Sequence, residues 1–307
     1  MTGAVTREGD SEKFVNQIYL LGLVSRLELA GFVSILALTV PTEAERLQKA
    51  WPAAATAFGE LAGIEAGAPD NIEVFLPDDS AYTSSLRDNR TFQKTFSHCR
   101  VHFEMVEIGK MVVCQRLADN DYLISHHLAP PTSGTALLRY CLDPDTEAPE
   151  IIAARTGSNR FTLSSTHPAL RFLGVSQEAV TDRDEDRCPG GKPVKIVNLF
   201  FGYAAATINA YGVGRRRVLN NGLHRVLALA RAGVRFAPMA VMQVTDPNLE
   251  MPEVVVELPR DYILNSKRPP LVKDFCDARL AINIRQRRST RYLDVKWSAK
   301  GGSVPWC

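Results

Sequence analysis

The sequence predicts an α+β fold, and three observations carry that expectation. The first 70 residues have helical spacing with Ala-rich segments, the middle of the chain holds isolated strand-like runs, and residues 217–244 compress strand, glycine turn, helix and returning strand into one stretch. With 307 residues, 45% of them hydrophobic and 23% charged, the chain has ample apolar content for a core and an ordinary globular composition.

Taken in order, residues 1–70 read as a helical N-terminal region. Met1–Glu12 is polar and charged, so no signal peptide is expected. The apolar stretch Ile18–Val40 is broken by Arg26, Glu28 and Gly31, whereas a bilayer span needs about twenty largely uncharged residues. It reads as one or two core helices. Pro41 ends the run and opens the next helix, with Glu43 and Glu45 in its first turn, and Gly67-Ala68-Pro69-Asp70 closes the region.

From 71 to 245 a mixed domain is expected, with strand-like runs at Ile72–Leu76, Val101–Val113 and Phe161–Ser164. Asp182–Gly191 reads as a solvated charged loop, because its carboxylates lack the alternating spacing of a calcium site. Phe200-Phe201-Gly202-Tyr203 fits either a core or a pocket that stacks a ring. Residues 246–307 read as a C-terminal extension packing on the main body. Arg268-Pro269-Pro270 is a rigid extended connection, and Arg285, Arg287 and Arg288 read either as the solvated face of an element whose apolar side is Leu280, Ile282 and Ile284, the favoured reading, or as contacts to the phosphates of a nucleic acid.

The chemistry concentrates at Arg217–Val234. Gly222 sits where the strand must turn into the helix, a place where the missing Cβ permits a tight turn and close approach of a ligand. His224 and Arg225 fall in the first helical turn. Unpaired backbone N–H groups and the positive end of the helix dipole favour an anion there, and phosphate is the natural ligand. Val226, Leu227, Leu229 and Ala230 keep helical spacing, Gly233 stops the helix, and Ala237–Val244 reads as the returning strand.

Across residues 215–244 the order of strand, Asn-Gly-x-His-Arg, Ala/Leu-rich helix, Gly-Val, Pro and apolar strand resembles the ParB/sulfiredoxin superfamily. Val101–Arg116 resembles the opening strand and Gln/Arg turn of such domains, which implies a large insertion at about 117–193. The resemblance implies a nucleotide, ATP or CTP with Mg²⁺, whose phosphates are held by Asn221, Gly222, His224 and Arg225 with Arg217 or Arg216 as auxiliary charge. It also implies a carboxylate early in the domain as base for an acceptor hydroxyl, and Glu104 and Glu107 stand at the right place. Sulfiredoxin chemistry is not expected, because Leu223 occupies the position of that family's nucleophilic cysteine. Nor is the helix-turn-helix of partitioning proteins, because Pro247, Pro252 and Pro259 interrupt the following segment.

Two functions follow. One is an ATP- or CTP-dependent phosphotransferase or hydrolase acting on a small-molecule acceptor, with Glu104, Glu107 and His224 catalytic. The other is a non-catalytic nucleotide-sensing or nucleic-acid-binding module, or a nuclease, of a prokaryotic system. A net charge of +2 gives no field for a dedicated nucleic-acid binder. Six scattered cysteines without C-x-x-C spacing read as reduced, mostly buried thiols of a cytoplasmic protein, and no metal site is expected at His126-His127.

Overall fold

The structure, a computed structural model, describes residues 14–78, 80–144, 150–165, 170–186, 188, 191–203, 205–288 and 291–298. Met1–Glu12, Cys307 and part of the charged 182–191 segment lie outside the described residues. In chain order the first elements are β1 (Phe14–Leu20), α1 (Arg26–Ala37), α2 (Pro41–Ile64), β2 (Val74–Phe75), α3 (Ser80–Asp88), α4 (Arg90–Thr95), β3 (Arg100–Glu107), β4 (Leu117–Asp119), α5 (Asn120–His127) and α6 (Gly134–Leu142). Next come β5 (Ile152–Gly157), β6 (Arg160–Ser165), β7 (Leu170–Glu178), α7 (Asp182–Glu185) and β8 (Ile196–Tyr203). The chain closes with β9 (Asn209–Val213), β10 (Arg216–Asn221), α8 (Leu223–Arg231), β11 (Phe236–Val244), α9 (Pro247–Glu250), β12 (Val254–Val255), β13 (Leu258–Pro259), α10 (Arg260–Asn265), β14 (Ala281–Arg287) and β15 (Arg291–Lys296). Helices and strands are both present, as an α+β protein requires.

The chain divides into two units, Met1–Asp145 with Ala206–Arg288 and Thr146–Ala205 with Ser289–Cys307. The second unit thus interrupts the first later than the insertion expected at 117–193, and it also takes the end of the expected C-terminal extension. β15 pairs with β6 through Arg291↔Ser165 to Lys296↔Arg160. That pairing, which local periodicity does not encode, draws the last strand away from the first unit's sheets.

The first unit is built on a five-stranded sheet of order β10-β9-β11-β3-β2. β9 and β11 run parallel and the remaining neighbours antiparallel. α8 carries the chain from edge strand β10 across to β11, and it buries Leu223, Val226, Leu227, Ala228 and Leu229. Each fully buried leucine contributes about 1.5–3 kcal/mol of apolar transfer, so this stripe anchors the helix start whose polar residues matter below.

A second sheet, β14-β1-β4, covers the region expected to be helical at its beginning. β1 pairs with β14 along Phe14↔Arg287 to Leu20↔Ala281, so Phe14–Leu20 is strand because a partner 260 and more positions away supplies its ladder. The helices expected after it are present. α1 starts at a capping box in which Glu28 N–H donates to Ser25 Oγ and the Glu28 carboxylate accepts from Ser25 N–H, and α2 starts with Pro41 in its first turn. Leu280, just before β14, and Ile284 within it are buried while Arg285 and Arg287 stay exposed, the solvated-face arrangement expected there. Arg268, in the connection before β14, is 2% exposed and ion-paired to Asp274 and Glu65.

In the second unit, β15-β6-β5 form one sheet and β7-β8 a separate hairpin. Asp182–Glu185, expected as loop, makes one helical turn capped by Thr181. Phe200 is not a core residue: on β8 it is 48% exposed, while Phe201 and Tyr203 are half-buried. No described helix is long and apolar enough to cross a membrane.

Candidate functional site

Gly222 has φ 99°, ψ 22° and leads directly into α8. A side chain here would be strained by the left-handed backbone, and its Cβ would lie 2.8 Å from Ile208 Cγ1. Glycine as N-cap supplies no capping side chain to the first N–H groups of the helix. Val226 N–H, bonded to Gly222 O at 3.0 Å, is the first to enter the helical ladder.

His224 and Arg225 occupy that turn but divide their work. The His224 Nε2 accepts the backbone N–H of Asp119 at 3.0 Å. This bond leaves the proton of the neutral ring on Nδ1. Burial pushes the imidazole down to about 4, so it carries no charge near neutrality. His224 therefore acts as a strut between α8 and the junction of β4 and α5, and not as a second cation. Asp119 continues that junction by capping α5, its Oδ1 accepting Tyr122 N–H at 2.8 Å.

Arg225 is partly buried and donates from Nη1 to the carbonyl of Tyr140 at 3.0 Å. Among the described residues no carboxylate comes within 4.0 Å of its guanidinium. Burial disfavours its charge, which Asp143 and other groups at longer range partly favour. Around it stand α5 and α6. Tyr122 stacks on His126 at 4.2 Å between centroids and meets the His224 ring edge-on at 5.1 Å, and His127 meets Tyr140 at 5.7 Å. The Tyr140 hydroxyl and His127 Nδ1 are buried and have no hydrogen-bond partner among the described residues. Burial, followed by Arg225 and His224, pushes His127 down to about 4, and burial raises the Tyr140 phenol.

The other expected site residues are engaged elsewhere. Arg217 reaches Glu104 in a buried bidentate pair, Nε to Oε2 at 2.6 Å and Nη2 to Oε1 at 2.9 Å, and His102 Nε2 lies 2.7 Å from the same carboxylate. Glycine at 212, opposite Arg217 in the ladder, leaves room above Val241. Glu107 binds Lys110 at 2.9 Å, Arg235 at 3.3 Å and Glu73 N–H at 3.2 Å. Although burial opposes ionisation, these partners hold both carboxylates below the ordinary range, the reverse of a base poised near neutrality. Glu104 and Glu107 thus share no partner with His224 or Arg225. Asn221 turns its amide to Thr207 O at 3.2 Å, and Arg216 is held by Asp70 at 2.7 and 2.8 Å.

Tyr122, His127 and Tyr140 are the neighbours that sequence reasoning missed. The His126-His127 pair was visible only as a candidate metal ligand, and among the described residues no group of three His, Cys, Asp or Glu is placed to hold a metal. Tyr140 carries no local signal; α6 brings it to Arg225. Two cavities of the first unit, one beside Arg231 and Cys276 and one between Ser97–Arg100 and Gln243–Glu250, are lined by neither His224 nor Arg225. The second is lined by Ser97, His98, Cys99 and Glu250; there Glu250 accepts from the Thr245 hydroxyl and the Asp246 N–H, and burial followed by Glu250 pushes the Cys99 thiol up.

No family model, curated protein or solved structure matches the chain. The ParB/sulfiredoxin resemblance therefore stands on the residues of the β10–α8–β11 run themselves.

Proposed function

We propose that the first unit is a nucleotide-binding domain of ParB/sulfiredoxin-like type that holds phosphate at the start of α8. The observation that carries this reading is Arg225, a partly buried cation with no carboxylate within 4.0 Å among the described residues, at a helix start whose glycine N-cap supplies no side chain. The flanking elements, β10, left-handed Gly222, α8, left-handed Gly233 and β11, follow the order on which the resemblance rests. ATP or CTP with Mg²⁺ is the nucleotide class the resemblance implies.

Between the two expected functions, binding is favoured over phosphoryl transfer. A phosphotransferase or hydrolase working through Glu104 or Glu107 would have to release these carboxylates from Arg217, His102, Lys110 and Arg235. Nucleic acid is a weaker reading, since Arg285 and Arg287 lie on β14 and not at the turn.

The test is a thermal-shift panel of ATP, ADP, AMP, CTP, GTP and short DNA, with and without Mg²⁺, on the intact chain and on Arg225→Gln. A ligand that binds only the native state raises its melting temperature. Stabilisation by a nucleotide, lost in the variant, supports the phosphate site. No shift with any nucleotide, or a shift that Arg225→Gln retains, refutes it.

A further inference from the structure

In the second unit, β7 and β8 form a hairpin that pairs with no third strand among the described residues. A two-stranded hairpin by itself is at best marginally stable in water. Its two outer edges differ. β7 carries Arg171 and Glu178, and the extra residue of a bulge between Phe172 and Gly174 lies on it. Charges and bulges are the devices that keep an edge strand from pairing with another chain. β8 has neither a charged residue nor a proline, and its eight residues run without a bulge of their own. The other long edge strands, β5, β10, β14 and β15, each carry at least one charged residue. From Ile196 to Gly202 the backbone of β8 makes no hydrogen bond, among the described residues, other than those to β7.

The side chains match this open backbone. In β8 only Asn198 and Gly202 lack an apolar or aromatic side chain. Val197 is 58% exposed, Leu199 43%, and Val175, across from Leu199 on β7, 56%. Val197, Leu199 and Phe201 alternate onto one face of the hairpin, where the Phe172 and Phe201 rings lie 5.6 Å apart. Single exposed apolar residues are ordinary, but a contiguous patch along an unpaired edge marks a contact surface.

The occupant that fits is a second copy of the chain. Antiparallel pairing of a strand with its own copy about a two-fold axis presents the same edge from both sides, the isologous contact of a closed dimer. A charged strand paired in this way brings like charges together across the ladder, which is unfavourable. β8 has none to oppose. Eight paired residues align about 27 Å of backbone, and the result is a four-stranded sheet in place of two marginal hairpins.

We propose that β8 is a homodimerisation edge, through which two copies of this chain join antiparallel into one sheet of order β7-β8-β8-β7. One strand edge and its flanking side chains fall at the small end of specific interfaces, below about 1,200 Å² in total, so the dimer is a weak one that dissociates in the micromolar range.

Sedimentation velocity of the intact chain across a hundredfold range of micromolar concentration, with amide hydrogen exchange at both ends of that range, tests it. The expected result is a shift from monomer to dimer, with exchange in peptides covering residues 196–203 slowed several-fold at the high end and exchange in β5 and β15 unchanged. Val197→Lys places a charge on an exposed position of β8. It raises the midpoint concentration of dimerisation at least tenfold while the melting temperature of dilute protein stays the same, which guards against a folding artefact. Val175→Lys places the same charge on β7, away from the edge, and keeps the dimer. A chain that stays monomeric throughout overturns the proposal. Free exchange at 196–203 then leaves the edge to a different protein, and protection already present at the lowest concentration means that a segment of the same chain covers it. A dimer whose 196–203 amides are unchanged, or that Val197→Lys retains, overturns it too. So does equal loss of the dimer in Val175→Lys, which puts the contact on the face of the hairpin and not on its edge.

Discussion

The Nε2 of His224 accepts the backbone N–H of Asp119 across 105 positions of sequence, at 3.0 Å. One bond thereby ties the first turn of α8 to the point where β4 becomes α5, and it sets which nitrogen of the ring carries the proton. His224→Ala removes the acceptor and leaves both an unpaired amide and a void. An unpaired buried donor costs about 1–3 kcal/mol and a void adds to it, so a loss of about 2–4 kcal/mol is expected. Urea unfolding of the variant measures it, and a change near zero would show that the strut carries no stability.

Stability should also fall in mild acid. His224 and His127 both have folded pKa values pushed down to about 4 from an ordinary value of 6.5. The unfolded chain binds more protons between these limits, so their contribution is complete above about pH 6.5 and is lost as pH falls toward 4. Each proton taken up steepens the dependence by about 1.4 kcal/mol per pH unit. Denaturation midpoints between pH 4 and 8 should show a decline in that window, shallower in His224→Gln.

Glu104 and Arg217 are expected to matter for folding and not for catalysis. Breaking a buried pair by removing one partner costs about 3–5 kcal/mol, while replacing both by apolar residues is often near neutral. Glu104→Gln and Arg217→Met should each destabilise by about that much, and the double variant by less than the sum. Additive losses in a double-mutant cycle would mean that the pair does not form in solution.

Two glycines at positive φ should respond differently to alanine. At Gly222, with φ 99°, the new Cβ would meet Ile208 Cγ1 at 2.8 Å; at Gly233, with φ 79°, it would meet nothing within 4 Å. Left-handed strain alone costs about 1–2 kcal/mol, and overpacking adds about 1–3 kcal/mol. Thermal melts should therefore rank Gly222→Ala well below Gly233→Ala, and the reverse order would contradict the turn geometry.

The described thiols should separate in reactivity. Cys114 and Cys141 are buried, and burial pushes both up to about 12, whereas Cys188 and Cys276 are exposed. Maleimide labelling of the native protein, mapped by mass spectrometry, should modify Cys188 and Cys276 within minutes and Cys114 and Cys141 only on unfolding. The expectation of mostly buried thiols thus holds for some cysteines and not for others, because exposure depends on which face a loop presents.

What the sequence by itself determined is local. The apolar spacing of Leu223, Val226, Leu227 and Leu229 dictates which face of α8 is buried, and Gly222 and Gly233 sit where a left-handed backbone bounds that helix. Such features are legible because a helix repeats every 3.6 residues and because only glycine enters the left-handed region at low energy. Tertiary structure decided the charges. Whether Arg217 meets a ligand or Glu104, 113 positions away, depends on strand register and on the gap left above Gly212. Whether Phe14–Leu20 is helix or strand depended on β14, and the fate of His224 on Asp119. Side chains of six atoms or so reach across elements that periodicity cannot bring together, so which arginines are paired to carboxylates was settled by the fold.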